Sequence, residues 1–347
     1  MNRNYMFSSR LGMRLPIIQG PFGGGLSTVK LTVAVTHAGG MGSFGAHLLS
    51  PEEIISTVAA IRAKTQGAFV MNLWLNSEEA KSTQADAAAF NHAANKLAPL
   101  YHKHGIHPPS FACQESIQFE QQAEAVLRAC PPVFSFVFGI PSAEILMECR
   151  KRGIVTMGAA TTLDEALAIE AAGVDIVLAT GFEAGGHRPS FLRPAADSLH
   201  GTLALVRQIV ESVKLPVVAA GGIADGQGIL AAMVLGANAV QLGTAFLACE
   251  ESGAPALHRR QLFLPSARRT RLSAHVSGRL ARFVETPLLA ELEQSGDHLR
   301  YPFQGALTSG FKSIENGIFY AGQGAPLLHH RCAGDLMTAL ESAIHPY

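Results

Sequence analysis

The residues best suited to chemistry lie in a glycine-rich loop that ends in a histidine. Residues 181–188 read Gly-Phe-Glu-Ala-Gly-Gly-His-Arg and follow an apolar, β-branched run. The imidazole of His187 titrates near neutral pH, so it can remove a proton beside an electron-withdrawing group or stabilise an anion. The glycines before it let a bound ring approach the backbone closely. His187 is therefore the candidate catalytic residue.

Two glycine turns further along the chain could hold a phosphate. Gly221 and Gly222 end one apolar run, and a second run ends at Gly243, followed by Thr244. Glycine allows close approach of the backbone, amide groups at a helix start point towards an anion, and a threonine hydroxyl adds a donor. The alternative interpretation is that these glycines only permit tight turns.

Two other glycine motifs are given a structural interpretation. Residues 40–45 match G-x-G-x-x-G, but they follow a predicted helix and lead into a strand, whereas a dinucleotide-binding motif does the reverse. Residues 23–25 are three glycines after the first apolar run. They fit a loop lying flat against a planar ligand better than a Walker loop, because no Gly-Lys-Ser/Thr follows.

The other histidines do not suggest a metal site. His102, His104 and His107 lie in a polar segment predicted to end a helix, without a carboxylate or cysteine partner at ligand spacing. No metal site is predicted. Three more histidines are interpreted as packing or capping residues: His37, His47 and His200.

Eight apolar runs alternate with helix-period segments, which is typical of a parallel sheet. Most runs are apolar on both faces, as expected when helices cover the outside and side chains fill a barrel. We therefore predict the α/β class and a (β/α)₈ TIM barrel, with its active site at the C-terminal ends of the strands. The predicted strands are residues 16–20, 42–46, 69–74, 133–139, 154–159, 174–180, 216–220 and 239–243.

Two regions do not fit the simple alternation. The connection over residues 76–132 is too long for one helix, so we expect extra helices or a short edge strand near 111–114. Residues 251–324 are rich in arginine and show no clear strand repeat. We predict a barrel from residues 1–250 plus 325–347 and a smaller substrate or lid domain from residues 251–324. The arginines are interpreted as a solvated surface, with binding of an anion or substrate as the alternative.

Helix start signals are readable at two places. Ser50 with Glu53, and Thr162 with Glu165, have the spacing of capping boxes. The tail from residue 325 is predicted to be helical and to return to the barrel.

Composition excludes several classes of protein. Lys+Arg and Asp+Glu are both 27, so no basic excess exists to bind nucleic acid. The five cysteines are scattered, which predicts neither a disulfide framework nor a zinc site and favours a reducing, cytoplasmic compartment. Polar residues and glycine interrupt the longest apolar region, residues 229–248, so no membrane span is predicted. The oligomeric state is not predicted.

Six segments of the chain match one known family in their sequence and order. They are 15–21 (LPIIQGP), 183–187 (EAGGH), 220–223 (AGGI), 241–244 (QLGT), 277–282 (SGRLAR) and 320–324 (YAGQG). Taken together, these segments resemble the nitronate monooxygenase family, formerly called 2-nitropropane dioxygenase. The resemblance covers nearly the whole chain and implies an FMN-containing barrel without metal that uses O₂ to oxidise alkyl nitronates to a carbonyl compound and nitrite. It implies a nitronate and O₂ as the small-molecule partners.

The resemblance also implies roles for individual residues. His187 is the catalytic residue, and Gln241 lies along the cofactor. The expected isoalloxazine contacts are the backbone of Gly20, Pro21 and Phe22 and the side chain of Asn72. The expected phosphate contacts are Gly185, Gly221, Gly222, Gly243 and Thr244. This chain departs from the family pattern at Phe22, where methionine is usual, and at Thr180, a further expected cofactor contact, where glutamine is usual.

Other functions are compatible with the same motifs. Similar barrels with a Gly-Gly-His loop serve FMN-dependent NAD(P)H:quinone reductases and enoyl-ACP reductases, and reduction of the flavin by NADH or NADPH would distinguish them. An IMP dehydrogenase-like reaction needs a cysteine nucleophile in the loop after strand six, and residues 181–188 contain none. A non-catalytic flavin-binding or redox-sensing protein is the alternative from another class.

Overall fold

Parallel strands surround a barrel in the computed structural model, which describes residues 11–75, 87–111 and 118–344. Within these residues eight strands form one sheet. Their order in the sheet is β1 (Ile17–Gln19), β9 (Ala239–Leu242), β8 (Val217–Ala220), β6 (Ile176–Thr180), β5 (Val155–Ala160), β4 (Val133–Val137), β3 (Phe69–Trp74) and β2 (Gly42–Gly45). A parallel bridge between Ile18 and Met41 joins the two ends of this order. The predicted (β/α)₈ barrel is confirmed. The strands are β1 Ile17–Gln19, β2 Gly42–Gly45, β3 Phe69–Trp74, β4 Val133–Val137, β5 Val155–Ala160, β6 Ile176–Thr180, β7 Gly186–His187, β8 Val217–Ala220, β9 Ala239–Leu242, β10 Thr270–Ser273 and β11 Ala281–Val284.

Helices follow the barrel strands, as the alternation predicts. None of the helices in the described chain has both the length and the apolar character needed to cross a membrane. Their bounds are α1 Val29–His37, α2 Pro51–Arg62, α3 Ala87–Lys96, α4 Ala98–His104, α5 Phe119–Ala129, α6 Ala143–Lys151, α7 Leu163–Ala171, α8 Thr202–Ser212, α9 Gly226–Val234, α10 Thr244–Leu247, α11 Ala256–Leu262, α12 Pro287–Gln294, α13 Phe303–Leu307 and α14 Ala333–Ile344.

Alternation along the strands separates two apolar layers. In β3, Met71 packs in the layer between sheet and helices, whereas Val70 packs in a second cluster with residues such as Val133 and Leu178. Since side chains of a strand alternate between faces, Asn72 shares the inward face of Val70, and Thr180 shares that of Leu178. The barrel interior is therefore apolar below and carries polar side chains at the C-terminal ends of its strands.

One of the two predicted capping boxes is complete. Ser50 accepts a hydrogen bond from the amide of Glu53, and the Glu53 carboxylate accepts one from the amide of Ser50. Thr162 caps helix α7 in the same way, accepting from the amide of Glu165. The expected hydrogen bond from the amide of Thr162 to the carboxylate of Glu165 is a wrong prediction. The buried carboxylate accepts instead from the amide and hydroxyl of Thr161.

The long connection between β3 and β4 contains three helices, α3, α4 and α5, as expected. Phe111 lies outside any strand, and the rest of the predicted edge strand falls outside the described residues. Helices α3 and α4 pack with the segment after the barrel: Phe90 and Tyr101 share an apolar cluster with Phe283 and Phe311. The Tyr101 hydroxyl also donates to the carbonyl of Leu307, at 2.9 Å.

The arginine-rich segment contains two strands that sequence reasoning did not predict. Strands β10 and β11 are antiparallel, and β11 pairs in turn with the two-residue β7. This three-stranded sheet joins the segment to the loop that carries His187. The segment's apolar cluster also includes α3 and α4, and the division at residues 251 and 324 stays a prediction.

The C-terminal helix α14 packs on the barrel, as expected. Leu336 and Leu340 belong to the same apolar layer as the barrel helices. The contact with α9 is close, because a Cβ atom added at Gly226 would lie 2.2 Å from the Cβ of Ala343.

We expect Gly42→Ala to lower the free energy of unfolding by about 2–3 kcal/mol, because overpacking a tight contact forces the backbone to shift. The added Cβ would lie 2.0 Å from the carbonyl oxygen of Thr32. Urea denaturation measures the change. The matched control is Gly334→Ala in helix α14, where an added Cβ would lie 3.8 Å from the Cys332 sulfur, an ordinary contact distance. It should be neutral or stabilise by up to about 1 kcal/mol. Equal stability of the two variants would contradict this account.

Candidate active site at the mouth of the barrel

His187 is held by a short strand and by the arginine that follows it. Strand β7 places His187 opposite Ala281. The side chain of Arg188 is buried, and its two terminal nitrogens donate to the carbonyls of Gly181 and Thr180, at 2.6 and 2.8 Å. The loop after β6 is thus fastened at both ends. Sequence reasoning missed Arg188, whose only signal is its place beside the candidate histidine.

The imidazole of His187 is neutral at physiological pH. Its Nε2 lies 2.8 Å from the hydroxyl of Ser277, so one of the two groups donates to the other. Burial lowers the pKa of His187 to about 3, and the positive charges of Arg279, His47 and Lys312 contribute further. A neutral imidazole can donate or accept a hydrogen bond at the nitrogen that does not face Ser277.

Aromatic rings surround His187. The indole of Trp74 lies 5.1 Å from the imidazole, edge to face, and the ring of Tyr320 is 5.9 Å away. The imidazole of His47 stacks on the indole of Trp74, with the ring centres 3.8 Å apart and an angle of 3° between the planes. Phe138 and Tyr301 also contact Trp74, at 5.0 and 5.9 Å. These rings form an aromatic wall beside His187, which remains partly exposed.

His47 is a packing residue, as interpreted from the sequence, and it packs at the mouth of the barrel. Its ring belongs to the aromatic wall, and its buried Nδ1 has no hydrogen-bond partner among the described residues. Burial, followed by the charge of Arg279, lowers the pKa of His47 to about 4. The signal that could have found it is its position just after β2, at the C-terminal end of a barrel strand.

Arg279 reaches this wall from the segment after the barrel. Its guanidinium carbon lies 4.4 Å from the ring centre of Phe138 and 4.5 Å from that of Tyr301. Phe138 ends the β4 region with a φ of +67°, a left-handed conformation that is uncommon for a bulky residue. By contrast, Arg271 is a surface residue paired with Glu293. The arginines therefore include one at the candidate site as well as solvated ones.

The two glycine turns lie beside each other and are tied to neighbouring loops. Gly221 and Gly222 have φ values of +112° and +71°, which strongly favour glycine. The hydroxyl of Thr202 donates to the carbonyl of Gly221 at 2.9 Å, and Glu183 accepts from the Thr202 amide. The Thr244 hydroxyl accepts from the amide of Gly322 at 2.8 Å, which keeps the hydroxyl proton for another acceptor.

Polar side chains line the inside of the barrel below this mouth. Asn72 donates from its amide nitrogen to the hydroxyl of Ser135, at 2.9 Å. The side-chain oxygen of Gln241 is buried and has no partner among the described residues. A buried oxygen without a partner is costly, so it is suited to accept from a ligand. Thr180 is buried at the end of β6.

The remaining predicted cofactor contacts lie around the same opening. The amide of Gly20 donates to the carbonyl of Leu242, and a Cβ at Gly20 would lie 3.2 Å from the Cα of Gly243. Pro21 follows at the end of β1, and the amide of Phe22 donates to the Ser27 hydroxyl at 2.9 Å. Gly185 packs against Gly322 too closely for a side chain. The structure brings these residues together, while their roles stay predictions.

Comparison with known proteins identifies the family. A family model described as nitronate monooxygenase matches residues 6–341. The chain belongs to the nitronate monooxygenase family. A nitronate monooxygenase from Paraburkholderia phytofirmans is 39% identical over 343 residues, which cover 95% of this chain and 92% of that protein. The predicted family and the predicted enzyme class, oxidoreductase, are confirmed.

Solved structures give the same result for the fold. A nitroalkane oxidase from Streptomyces ansochromogenes superposes with a TM-score of 0.86 at 34% identity, covering 96% of each chain. FabK from Thermotoga maritima is more distant, with a TM-score of 0.75 at 26% identity over 98% of this chain and 96% of that one. The nitronate monooxygenase fold therefore extends over both the barrel and the segment that follows it.

Several site residues of this family member escaped sequence reasoning. They come from distant parts of the chain, so no local pattern joins them. Within the described residues, no cluster of three metal-ligating side chains is found. Ser277, Arg279 and Tyr320 lie in segments matched to the family but were given no individual role. The residues that were missed altogether are Trp74, Phe138, Arg188, Tyr301 and Lys312.

The depressed histidine pKa values predict acid sensitivity. Between pH 6.5, the ordinary pKa of histidine, and about 4, the unfolded chain takes up a proton at His47 that the folded chain resists. The free energy of unfolding should therefore fall as the pH is lowered, by at most about 1.4 kcal/mol per pH unit for this residue. Urea denaturation at pH 7 and pH 5 measures it. His47→Gln should weaken the dependence, and His37→Gln, at an exposed position, should retain it.

Proposed function

We propose that the protein binds FMN and uses O₂ to oxidise alkyl nitronates to a carbonyl compound and nitrite. The observation that carries this proposal is the neutral imidazole of His187, enclosed by aromatic rings beside the guanidinium of Arg279. A neutral donor next to a fixed positive charge suits a small anion better than a neutral molecule. The Paraburkholderia and Streptomyces proteins support the same reaction class through their names.

The site fits FMN. A Cβ added at Gly243 would meet nothing within 4 Å, so the turn borders a space that an anion can enter. Gly221, Gly222 and the Thr244 hydroxyl would hold the phosphate, with Gly185 in the adjoining loop. Bound there, FMN supplies an acceptor for the electrons of the substrate and a donor to O₂. The residues that would contact the isoalloxazine are Gly20, Pro21, Phe22, Asn72, Thr180 and Gln241.

The protein's own residues bind and orient the substrate. The other ring nitrogen of His187 would donate a hydrogen bond to a nitronate oxygen, which requires the Ser277 hydroxyl to donate to Nε2 rather than to the carbonyl of Arg279. Because the pKa of His187 is about 3, its imidazole has little driving force to remove a proton from a neutral nitroalkane. Preformed nitronates are therefore the proposed substrates. Trp74 and Tyr320 pack beside the imidazole.

We expect His187→Asn to lower kcat/KM about a hundredfold or more, and to a similar extent, for propyl-2-nitronate and for 2-nitropropane. The reason is that 2-nitropropane would react only through the nitronate that it forms in solution, so both assays depend on the same contact between His187 and the anion. Release of nitrite measures the rate. His37→Asn, at an exposed position, is the control. Loss with 2-nitropropane alone, sparing the nitronate, would assign His187 the role of a base instead.

We expect Gly243→Val to fold normally and to weaken FMN binding by about tenfold or more. The valine side chain would extend into the space bordered by the turn, and the φ of −95° at Gly243 is open to other residues. Flavin absorbance of the purified protein and titration with FMN measure the loss. Gly334→Ala should bind FMN as the wild type does. Undiminished FMN binding by Gly243→Val would place the phosphate elsewhere.

The reductase alternatives are separated by one anaerobic experiment. The purified flavoprotein is mixed with propyl-2-nitronate and, separately, with NADPH, and flavin absorbance is followed. Bleaching by the nitronate but not by NADPH supports the proposal. Rapid bleaching by NADPH favours a quinone or enoyl-ACP reductase.

We also propose a cytoplasmic location, supported by the four described cysteines, all of which are free thiols.

A further inference from the structure

Ser277 meets the imidazole of His187 from the segment after the barrel, with its hydroxyl 2.8 Å from Nε2. We propose that Ser277 is a positioning residue that sets the tautomer of His187. Its hydroxyl donates to Nε2, which keeps the ring proton on Nδ1 and makes that nitrogen a donor to the nitronate rather than an acceptor of a proton. This inference deepens the proposed function and rests on it, because it concerns the proton of the same imidazole.

The backbone around Ser277 is held in place on both sides. The carbonyl of Val276 accepts from the hydroxyl of Thr308, at 2.6 Å. Gly278 has a φ of +84°, and a Cβ atom there would lie 2.3 Å from the backbone nitrogen of Tyr301. Ser277 itself is buried. The fold therefore fixes the place of its hydroxyl.

The imidazole side of this contact is held by the small sheet. His187 in β7 lies opposite Ala281 in β11, and the amide of Arg188 donates to the carbonyl of Leu280, at 2.9 Å. Ser277 comes shortly before β11 in the chain. Both partners of the hydrogen bond thus belong to one backbone-bonded unit, and their separation follows from the pairing of its strands.

The hydroxyl of Ser277 has one proton and two acceptors within reach. Nε2 of His187 is 2.8 Å from Oγ, and the carbonyl oxygen of Arg279 is 3.1 Å from it. A hydroxyl donates to one acceptor at a time. The shorter contact has the usual length of a bond donated by a hydroxyl, and the longer one exceeds it. The amide of Arg279 donates to Oγ, at 3.3 Å, which occupies a lone pair and leaves the proton for Nε2.

The direction of this hydrogen bond decides what Nδ1 can do. A neutral imidazole has one N–H group and one lone pair, so Nδ1 carries the proton when Nε2 accepts. In the opposite arrangement Nε2 donates to Ser277, the hydroxyl donates to the carbonyl of Arg279, and Nδ1 presents a lone pair that a nitronate oxygen would repel. Because burial holds the pKa of His187 at about 3, the ring is neutral and its tautomer controls anion binding.

Ser273 offers a matched control in the same segment. It ends β10 and is buried like Ser277. Its hydroxyl accepts from the amide of His275, at 3.3 Å, just as Ser277 accepts from the amide of Arg279 at that distance. The two serines make the same local turn, and Ser277 differs by its bond to the imidazole. Replacing either serine by alanine removes the turn contact, whereas Ser277→Ala also removes the donor to Nε2.

The tautomer is measured by nitrogen NMR of the flavin-loaded protein, labelled with isotope-enriched histidine, at pH 7. Protonated and unprotonated ring nitrogens resonate at well separated frequencies, and their couplings to the ring carbon protons identify Nδ1 and Nε2. Signals missing from His187→Asn assign those of His187. We expect the proton on Nδ1 in the wild type and in Ser273→Ala. Ser277→Ala should lose this preference, and Ser277→Thr, which keeps a hydroxyl, should restore it.

Kinetics with propyl-2-nitronate connect the tautomer to binding. We expect Ser277→Ala to raise KM about three- to tenfold while kcat changes less than about twofold, because only the fraction of molecules with the proton on Nδ1 binds the anion. Ser273→Ala should stay within about twofold of the wild type in both constants. Release of nitrite measures the rates.

A wild-type ring with its proton on Nε2 overturns the inference. The wild-type spectrum needs no substitution, so this result can be obtained even where Ser277→Ala fails to fold. An unchanged tautomer or an unchanged KM in Ser277→Ala also overturns it. Equal effects in Ser277→Ala and Ser273→Ala do the same, since they would show a structural role for both turns.

Failure of the inference and failure of the proposed function are distinguishable. If the proton is on Nδ1 in the wild type and Ser277→Ala loses that preference, but no nitrite is released from propyl-2-nitronate, the proposed function fails and the control of the tautomer by Ser277 stands. If the wild type oxidises the nitronate with its ring proton on Nε2, the proposed function stands and the role of Ser277 is refuted.

Discussion

The arrangement of the site depends on one buried cation, the guanidinium of Arg188. A charge inside a protein is costly unless hydrogen bonds replace the water that it loses. The two terminal nitrogens of Arg188 meet part of this cost by donating to the carbonyls of Gly181 and Thr180 at the end of a barrel strand, whereas its buried Nε has no partner among the described residues. Burial lowers its pKa to about 10, which still leaves it charged at neutral pH. Since His187 directly precedes Arg188 in the chain, these two hydrogen bonds also fix the position of the imidazole relative to the barrel.

Much of the barrel could be predicted from sequence because its signals are local. Each strand is a short apolar run, and each glycine turn stands at the end of such a run, so the turns at Gly222 and Gly243 were found with the strands, while their predicted binding of phosphate stays a prediction. The aromatic wall could not be found in this way. His47, Trp74 and Tyr301 are far apart in the chain, and only the closing of the barrel and the packing of the later segment bring them together.

The barrel and the segment after it contribute different kinds of residues to the site. The barrel supplies glycine turns and inward polar side chains such as Asn72, whose positions are fixed by sheet hydrogen bonds. The later segment supplies Ser277, which is hydrogen-bonded to His187, and Arg279, which lies over the ring of Tyr301. Because β11 pairs with β7, the segment and the loop that carries His187 share one small sheet. The side chains that the segment contributes are therefore held on the same small sheet as the imidazole.

The order of the strands bears on how the protein matures during synthesis. Strand β1 pairs with β9, so the barrel cannot close until about residue 242 has left the ribosome. Helix α9, which follows the glycine turn at Gly222, packs through Gly226 against Ala343, near the end of the chain. The nascent chain thus lacks this packing contact beneath the glycine turn until about residue 343 has left the ribosome.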